Sequence, residues 1–254
     1  MRDYLGCSLV CHFCDKYIWM MYHWYNMPEN VDTDTSKLIT VYSNAQIAKK
    51  QRIFDVGYMF EDLAIGWAND ARKNAKAVYD RQRSVVFASV FRGHIDGIID
   101  IDDEPHLLEI KTFNNSRYNE LERKGIPVEH RKQMQLYMYG LELDKGIHVG
   151  INKNNCEIHE TLVEADKDLA VALIHKGINI IHDNLTPPKP SYCTSTFFKC
   201  KMCDFYNICF GDEKPAKNCR TCKHAESTLK GFYCSKNSEY LPTYMQPKGC
   251  DQWV

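Results

Sequence analysis

Eight of the twelve cysteines lie within the last 62 residues, and this crowding constrains the C-terminal quarter more than any other feature of the chain. A segment so rich in thiols folds around disulfides or around metal. The pairs Cys200-x2-Cys203 and Cys219-x2-Cys222, each with further cysteines downstream, have the spacing of metal ligands rather than of a disulfide framework. Metal-bound thiols imply a reducing compartment. Arg2, Asp3, Asp15 and Lys16 bracket only a short apolar stretch, so no signal-peptide core is expected. No run reaches the roughly 18 apolar residues of a membrane helix. The expected location is the cytoplasm, with no membrane partner.

With 254 residues, 44% of them hydrophobic, the chain can form one large domain or a core with appendages. Its net charge of -1 exerts no general pull on nucleic acid, so any basic groove has to be local. The aromatic stretch from Ser8 to Met27 reads as one mostly buried helix, and Pro28 to Ser43 as a loop. From Ala45 to about Tyr79 a helical period places Phe60, Leu63, Ala64, Trp67 and Ala71 on one face, with a possible break near Gly57. Ser84 to Phe91, His94 to Ile101 and His106 to Phe113 read as strands, the last two joined by a turn over residues 102 to 105. Helices are expected from Glu129 to Leu143 and Glu164 to Asn184, with a hairpin of Gly146 to Asn152 and Cys156 to Val163 between them. Pro187, Pro188 and Pro190 then mark a boundary.

The richest chemistry lies in Gly93-His94-Ile95-Asp96-Gly97 and Leu107-Leu108-Glu109-Ile110-Lys111. Alternation along a strand turns Glu109 and Lys111 to one side and Leu108 and Ile110 to the other. The expected turn pairs Ile101 with His106, which sets Asp96 opposite Lys111 and gathers Asp96, Glu109 and Lys111 into one patch. Two carboxylates that close repel each other unless a cation compensates. Oxygen ligands favour Mg²⁺ or Mn²⁺, and a nearby ammonium could orient a water or offset phosphate charge, which are the requirements of phosphodiester hydrolysis. A bare D…ExK pattern recurs by chance on solvated hairpins. Here the strands are rich in Ile and Leu, and a preceding helix carries a stripe of Gly57, Glu61, Ala64 and Ala68 that would aim Glu61 at the same ion.

These elements resemble the PD-(D/E)xK nuclease superfamily in its RecB-type branch, whose order is a helix glutamate, a strand aspartate, ExK and a QxxxY helix. The resemblance implies an α/β, restriction-endonuclease-like core with a central mixed sheet flanked by helices. It implies Glu61, Asp96, Glu109 and the Ile110 carbonyl as metal ligands and Lys111 as the catalytic lysine. Gln133 and Tyr137 would hold the scissile strand, and Gln135 and Tyr139 fit the same spacing. Many relatives have histidine where this chain has Glu61. His94, His106 and His130 receive no role.

Cys200-x2-Cys203-x5-Cys209 offers three ligands and requires a distant fourth. The spacing resembles the iron–sulfur exonucleases of the same branch, AddB-like and CRISPR-associated, which take that ligand from near the N-terminus. Cys14, in Cys14-Asp15-Lys16-Tyr17-Ile18-Trp19, matches their C-x-(R/K)-x-x-W segment, with Cys11 as the alternative. A [4Fe-4S] cluster is then expected, against structural zinc at the same place. Cys219-x2-Cys222-x11-Cys234-x15-Cys250 reads independently as a zinc module. Cys7, Cys156 and Cys193 are left as small buried thiols.

The expected organisation is an N-terminal helix donating a cluster cysteine over 1–27, a nuclease core over 28–185, a cluster segment over 186–211 and a zinc-binding tail over 212–254. The implied function is metal-dependent exonucleolytic hydrolysis of single-stranded DNA or resected duplex ends, in recombination or replication, with a helicase or recombination protein as possible partner. A phage-encoded chain acting in host cytoplasm fits the resemblance. Two other readings stay open: a non-catalytic iron–sulfur DNA-binding subunit, and a structure- or sequence-selective endonuclease.

Overall fold

The computed structural model describes residues 4–24, 45–71, 78–247 and 249–253. In chain order the first elements are β1 (Leu5–Gly6), α1 (Cys7–Val10), α2 (Asp15–His23), α3 (Ala45–Ala71), β2 (Ser84–Phe87), β3 (Phe91–His94), β4 (Gly97–Ile101) and β5 (Glu104–Phe113). Then follow α4 (Asn115–Lys124), α5 (Val128–Leu141), β6 (Lys145–Asn152), β7 (Ile158–Glu164) and α6 (Lys167–His182). The last part holds α7 (Phe198–Lys201), α8 (Tyr206–Phe210), a 3₁₀ turn (Cys219–Thr221), β8 (Ala225–Thr228), β9 (Gly231–Cys234) and β10 (Glu239–Tyr240). The chain is therefore mixed α/β. It divides into one compact unit of Met1–Glu29, Phe87–Arg92 and Ala172–Val254 and another of Asn30–Val86 and Gly93–Val171.

The second unit is built on a four-stranded mixed sheet in the order β4-β5-β6-β7, with β5 and β6 parallel and the outer pairs antiparallel. Parallel neighbours need a crossover, which α4 and α5 supply. Alternation gives the central strands two different faces. Leu108, Ile110, Ile147, Val149 and Ile151 pack with Ala64 and Ile65 of α3. The opposite face takes α4 and α5 at close range. A Cβ at Gly150 would lie 2.2 Å from Leu121 Cδ2, and one at Gly146 3.1 Å from Met134 Cε.

Several expected elements are redrawn. The helix α3 runs unbroken through Gly57 and ends at Ala71, and residues 72–77 lie outside the described set. Its inward residues are Ala64 and Ile65 with Phe60 and Ala68, whereas Leu63 and Trp67 are exposed. Ser84 to Phe91 is no single strand, because Ala88 and Ser89 at φ 47° and 62° reverse the chain between β2 and β3. The β4–β5 turn is only Asp102-Asp103, both left-handed at φ 52° and 62°, as a tight two-residue hairpin demands. Ile101 therefore pairs with Glu104 instead of His106, and Asp96 no longer stands opposite Lys111. The register moves by two residues, an even number, so every side chain keeps its face. The helix α4 was not expected. Its signals are Asn114, whose side chain accepts from the Arg117 N–H at 2.9 Å, and Gly125 at φ 81°.

In the first unit, the expected helix of Ser8 to Met27 is two helices, and residues 25–27 lie outside the described set. The break has a local cause: Cys14 is extended at φ -113° and ψ 110°, and its N–H turns to His12 Nδ1 at 3.2 Å. The C-terminal carbonyls of α6, which no helical N–H can reach, are capped by side chains. Trp19 Nε1 donates to Asp183 O at 2.6 Å, His23 Nε2 to Ile180 O at 2.9 Å, and Ser227 Oγ to Ile181 O. Burial drives His23 down to about 4, so the donor is a neutral ring. The loop expected over Pro28 to Ser43 lies outside the described residues.

Candidate active site and cysteine sites

On β5, Glu109 points from the sheet into the protein and is fully buried. Its Oε1 meets the Lys111 ammonium, while Oε2 has no hydrogen-bond partner. Lys111 also donates to the Ile110 carbonyl at 3.1 Å and lies 3.7 Å from Asp96 Oδ2. Asp96 leads into β4, where its Oδ2 accepts the Ile110 N–H at 2.7 Å and so ties the two strands together. Glu61 comes from α3, is 9% exposed, and accepts from Gln82 Nε2 at 2.6 Å.

The charges of these groups act on one another. Burial, with Asp96 and Glu61 adding to it, holds the Glu109 carboxyl above the usual range despite Lys111. Burial and Asp96 raise Glu61 as well. Burial would pull Lys111 down, but Glu109, Asp96 and Glu61 outweigh it and keep the ammonium protonated. Asp96, Glu109, Ile110 and Lys111 are thus in direct contact, through a different register, and Glu61 acts on them electrostatically, while no three His, Cys, Asp or Glu side chains among the described residues stand in metal-holding geometry.

On α5, Gln133 Nε2 donates to the Tyr137 hydroxyl at 3.3 Å. Tyr137 is buried against Gly93, where a Cβ would come 2.5 Å from its hydroxyl oxygen. The alternative pair separates: Gln135 is a buried brace, its Oε1 accepting from the Asp166 N–H at 2.6 Å and its Nε2 donating to Glu164 O at 2.9 Å, and Tyr139 is exposed.

Sequence reasoning missed two histidines beside this cluster. His148 stands next to Glu109 in the β5–β6 register and is fully buried, and its Nδ1 has no hydrogen-bond partner. Its Nε2 lies 3.3 Å from His130 Nδ1. Burial lowers His148 to about 3 and His130 to about 4, with Lys111 reinforcing both, so the two rings are neutral. The available signal was a histidine inside the apolar run from Gly146 to Ile151.

Cys14, Cys200, Cys203 and Cys209 line one cavity of about 130 Å³, and Cys193 lines it too. Cys193 is buried as expected, and its thiol is pushed up to about 12 by burial and by the neighbouring Cys200 and Cys14. Cys11 does not reach the cavity: it is buried and donates to Cys7 O at 3.1 Å. Cys7 is buried as expected, but Cys156 is exposed in a turn at φ 63°. Cys219, Cys222, Cys234 and Cys250 line a second cavity of about 20 Å³, together with His224. Among the described residues, no three His, Cys, Asp or Glu side chains are drawn into metal-holding geometry, so the thiols ring these cavities without closing on a point.

No family model matches the chain, and no curated protein matches it significantly in sequence. Among solved structures it is similar to the crystal structure of SSO0001, at 17% identity and a TM-score of 0.47, over 84% of this chain and 89% of that one. It is also similar to an alkaline exonuclease (LHK-Exo) from Laribacter hongkongensis, at 16% identity and a TM-score of 0.46, over 70% of this chain and 86% of that one. A phage-related exonuclease from Haemophilus somnus 129PT gives 13% identity and a TM-score of 0.38, over 70% and 91%. Likenesses this distant do not assign a reaction. No helix among the described residues is long and apolar enough to cross a membrane.

Proposed function

We propose that Glu61, Asp96, Glu109 and Lys111 form the active centre of a divalent-metal-dependent deoxyribonuclease acting on single-stranded DNA or duplex ends. The Glu109 carboxylate carries the reading: fully buried, it has one oxygen without a hydrogen bond and two further carboxylates acting on it. Such a group is costly unless a cation joins it. Once ionised, the three carboxylates exceed the one ammonium by two negative charges, which one Mg²⁺ or Mn²⁺ would balance.

Glu61, Asp96, Glu109 and the Ile110 carbonyl would hold that ion, which when bound polarises a phosphoryl oxygen. Lys111, with 28% of its side chain exposed, would orient the attacking water and offset charge growing on the phosphate. Gln133 and Tyr137 would position the scissile strand, and the Tyr137–Gly93 contact fixes where that hydroxyl stands. Cys14, Cys200, Cys203 and Cys209 would hold a [4Fe-4S] cluster, since a thiol-lined cavity of about 130 Å³ suits a multi-atom group better than one ion. DNA binding would rest on local basic residues and aromatic stacking. The reading extends to a cytoplasmic enzyme of recombination or replication that works with a helicase or recombination protein.

The test is incubation of the full chain with end-labelled single- and double-stranded DNA, with Mg²⁺ or Mn²⁺ and with a chelator. Release of mononucleotides or short products only with metal is expected. DNA binding without cleavage at any divalent ion would replace the enzyme with a non-catalytic DNA-binding subunit.

A further inference from the structure

The last four cysteines line one small cavity in the first unit. Cys219 opens the 3₁₀ turn and Cys222 follows it, with the Cys222 N–H donating to Cys219 O at 3.2 Å and the Ala225 N–H to Cys222 O at 3.0 Å. Asn218 and Thr221 lock the turn by exchanging side-chain and backbone hydrogen bonds, each at 3.1 Å. Cys234 ends β9 opposite Ala225. Gly249, left-handed at φ 63°, aims its N–H at the Cys219 sulfur and leads into Cys250. Tight turns with backbone N–H groups on sulfur support thiolate ligation. The cavity of about 20 Å³ has room for a single atom-sized guest.

Arg220 lies inside that turn, between Cys219 and Cys222. It is 5% exposed, and its Nη1 donates to Tyr22 O, in the last turn of α2, at 2.8 Å. Its Nε donates to Gln246 Oε1 at 2.6 Å, and its guanidinium lies 4.2 Å from the centre of the Phe232 ring. A cation on a helix C-terminus caps carbonyls the helix cannot satisfy. The same helix begins directly after Cys14.

We infer that Cys219, Cys222, Cys234 and Cys250 bind one Zn²⁺, and that this site is a clamp which fixes Arg220 on the C-terminus of α2. Four Zn–S bonds form as four thiol protons pass to solvent, with no change of oxidation state. Zinc with four thiolates carries a net charge of -2, which the buried guanidinium between the ligands partly offsets. His224 also lines the cavity, and the inference leaves it outside the ligand set because the four thiolates already complete a tetrahedral site. The inference is independent of the nuclease reading, because none of these residues belongs to the carboxylate cluster.

The experiment uses the full chain and measures zinc and iron separately, together with the visible spectrum after cobalt exchange. About one zinc per chain is expected, retained in Cys203→Ser and His224→Ala and lost in Cys222→Ser and Cys250→Ser. Cobalt should show the intense bands of a tetrahedral thiolate site, a measurement that needs no variant. Hydrogen exchange should reveal faster exchange at the end of α2 in the zinc-depleted chain and in Arg220→Gln, which keeps its zinc. Absence of zinc, or zinc that survives both Cys222→Ser and Cys250→Ser, overturns the site. Zinc removal that leaves α2 exchange unchanged overturns the clamp.

Discussion

Glu109 and the two histidines beside it respond to pH in opposite directions. The Glu109 carboxyl titrates above its ordinary 4.5 when folded. In metal-free protein its contribution is therefore complete below that pH and is lost as the pH rises through the elevated folded value. His130 and His148, lowered from 6.5 to about 4 and about 3, contribute fully above 6.5 and lose that contribution as the pH falls towards 4. The two trends offset each other. Glu109→Gln should leave a chain that weakens only on acidification and is more stable at pH 8, while His148→Gln should weaken mainly on alkalinisation. Urea midpoints from pH 4.5 to 8 check both, and slopes unaltered in both variants would contradict the assigned burial. The carboxylates and Lys111 were legible from sequence because their spacing is chemical. The histidines were not, because a lone ring, on the apolar strand β6 for His148 and on α5 for His130, gains a role only from its neighbours.

The elements that carry the cluster were readable through face alternation, which depends on parity. The β4–β5 turn turned out two residues shorter than its sequence suggests, yet Glu109 and Lys111 still share a side, because a two-residue slip preserves facing. A slip of one would have turned Leu108 to their side instead. The reversal at Ala88-Ser89 and the helix α4 were missed for opposite reasons: the first lacks glycine, and the second buries only Tyr118 and Leu121 in a polar sequence. Two close approaches on these elements give contrasting predictions. Gly150→Ala would drive a methyl into Leu121 and should cost about 1–3 kcal/mol of stability, measured by denaturant unfolding. Gly93→Ala meets the end of the Tyr137 side chain, so it should move that hydroxyl off Gln133 and weaken DNA cleavage more than stability. Equal losses in both properties would remove Tyr137 from the substrate site.

Taken whole, the chain folds against its own linear order. The N-terminal helices and the cysteine-rich end, which the sequence sets apart as separate pieces, lie in one unit. Trp19 reaches Asp183 across 164 positions and Arg220 reaches Tyr22 across 198. No local pattern encodes contacts of that span, so composition shifts alone could not divide the chain in this way. The same proximity discriminates between the N-terminal thiols. Cys14→Ser should bleach the broad visible absorption of an anaerobically purified protein, while Cys11→Ser, whose thiol stays on the Cys7 carbonyl, should leave it. Bleaching by Cys11→Ser alone would exchange their roles.

The central claim, that Asp96, Glu109 and Lys111 perform metal-dependent hydrolysis, is tested most directly by the single-turnover rate of end-labelled DNA cleavage in saturating Mg²⁺. Asp96→Asn is the informative variant, because its amide oxygen can still accept the Ile110 N–H and keep β4 on β5 while the charge is lost. Its rate, and that of Lys111→Ala, should fall by about a thousandfold or more, roughly 4 kcal/mol of barrier, with circular dichroism unchanged. Cleavage by either variant within a few-fold of the parent chain would contradict the assignment.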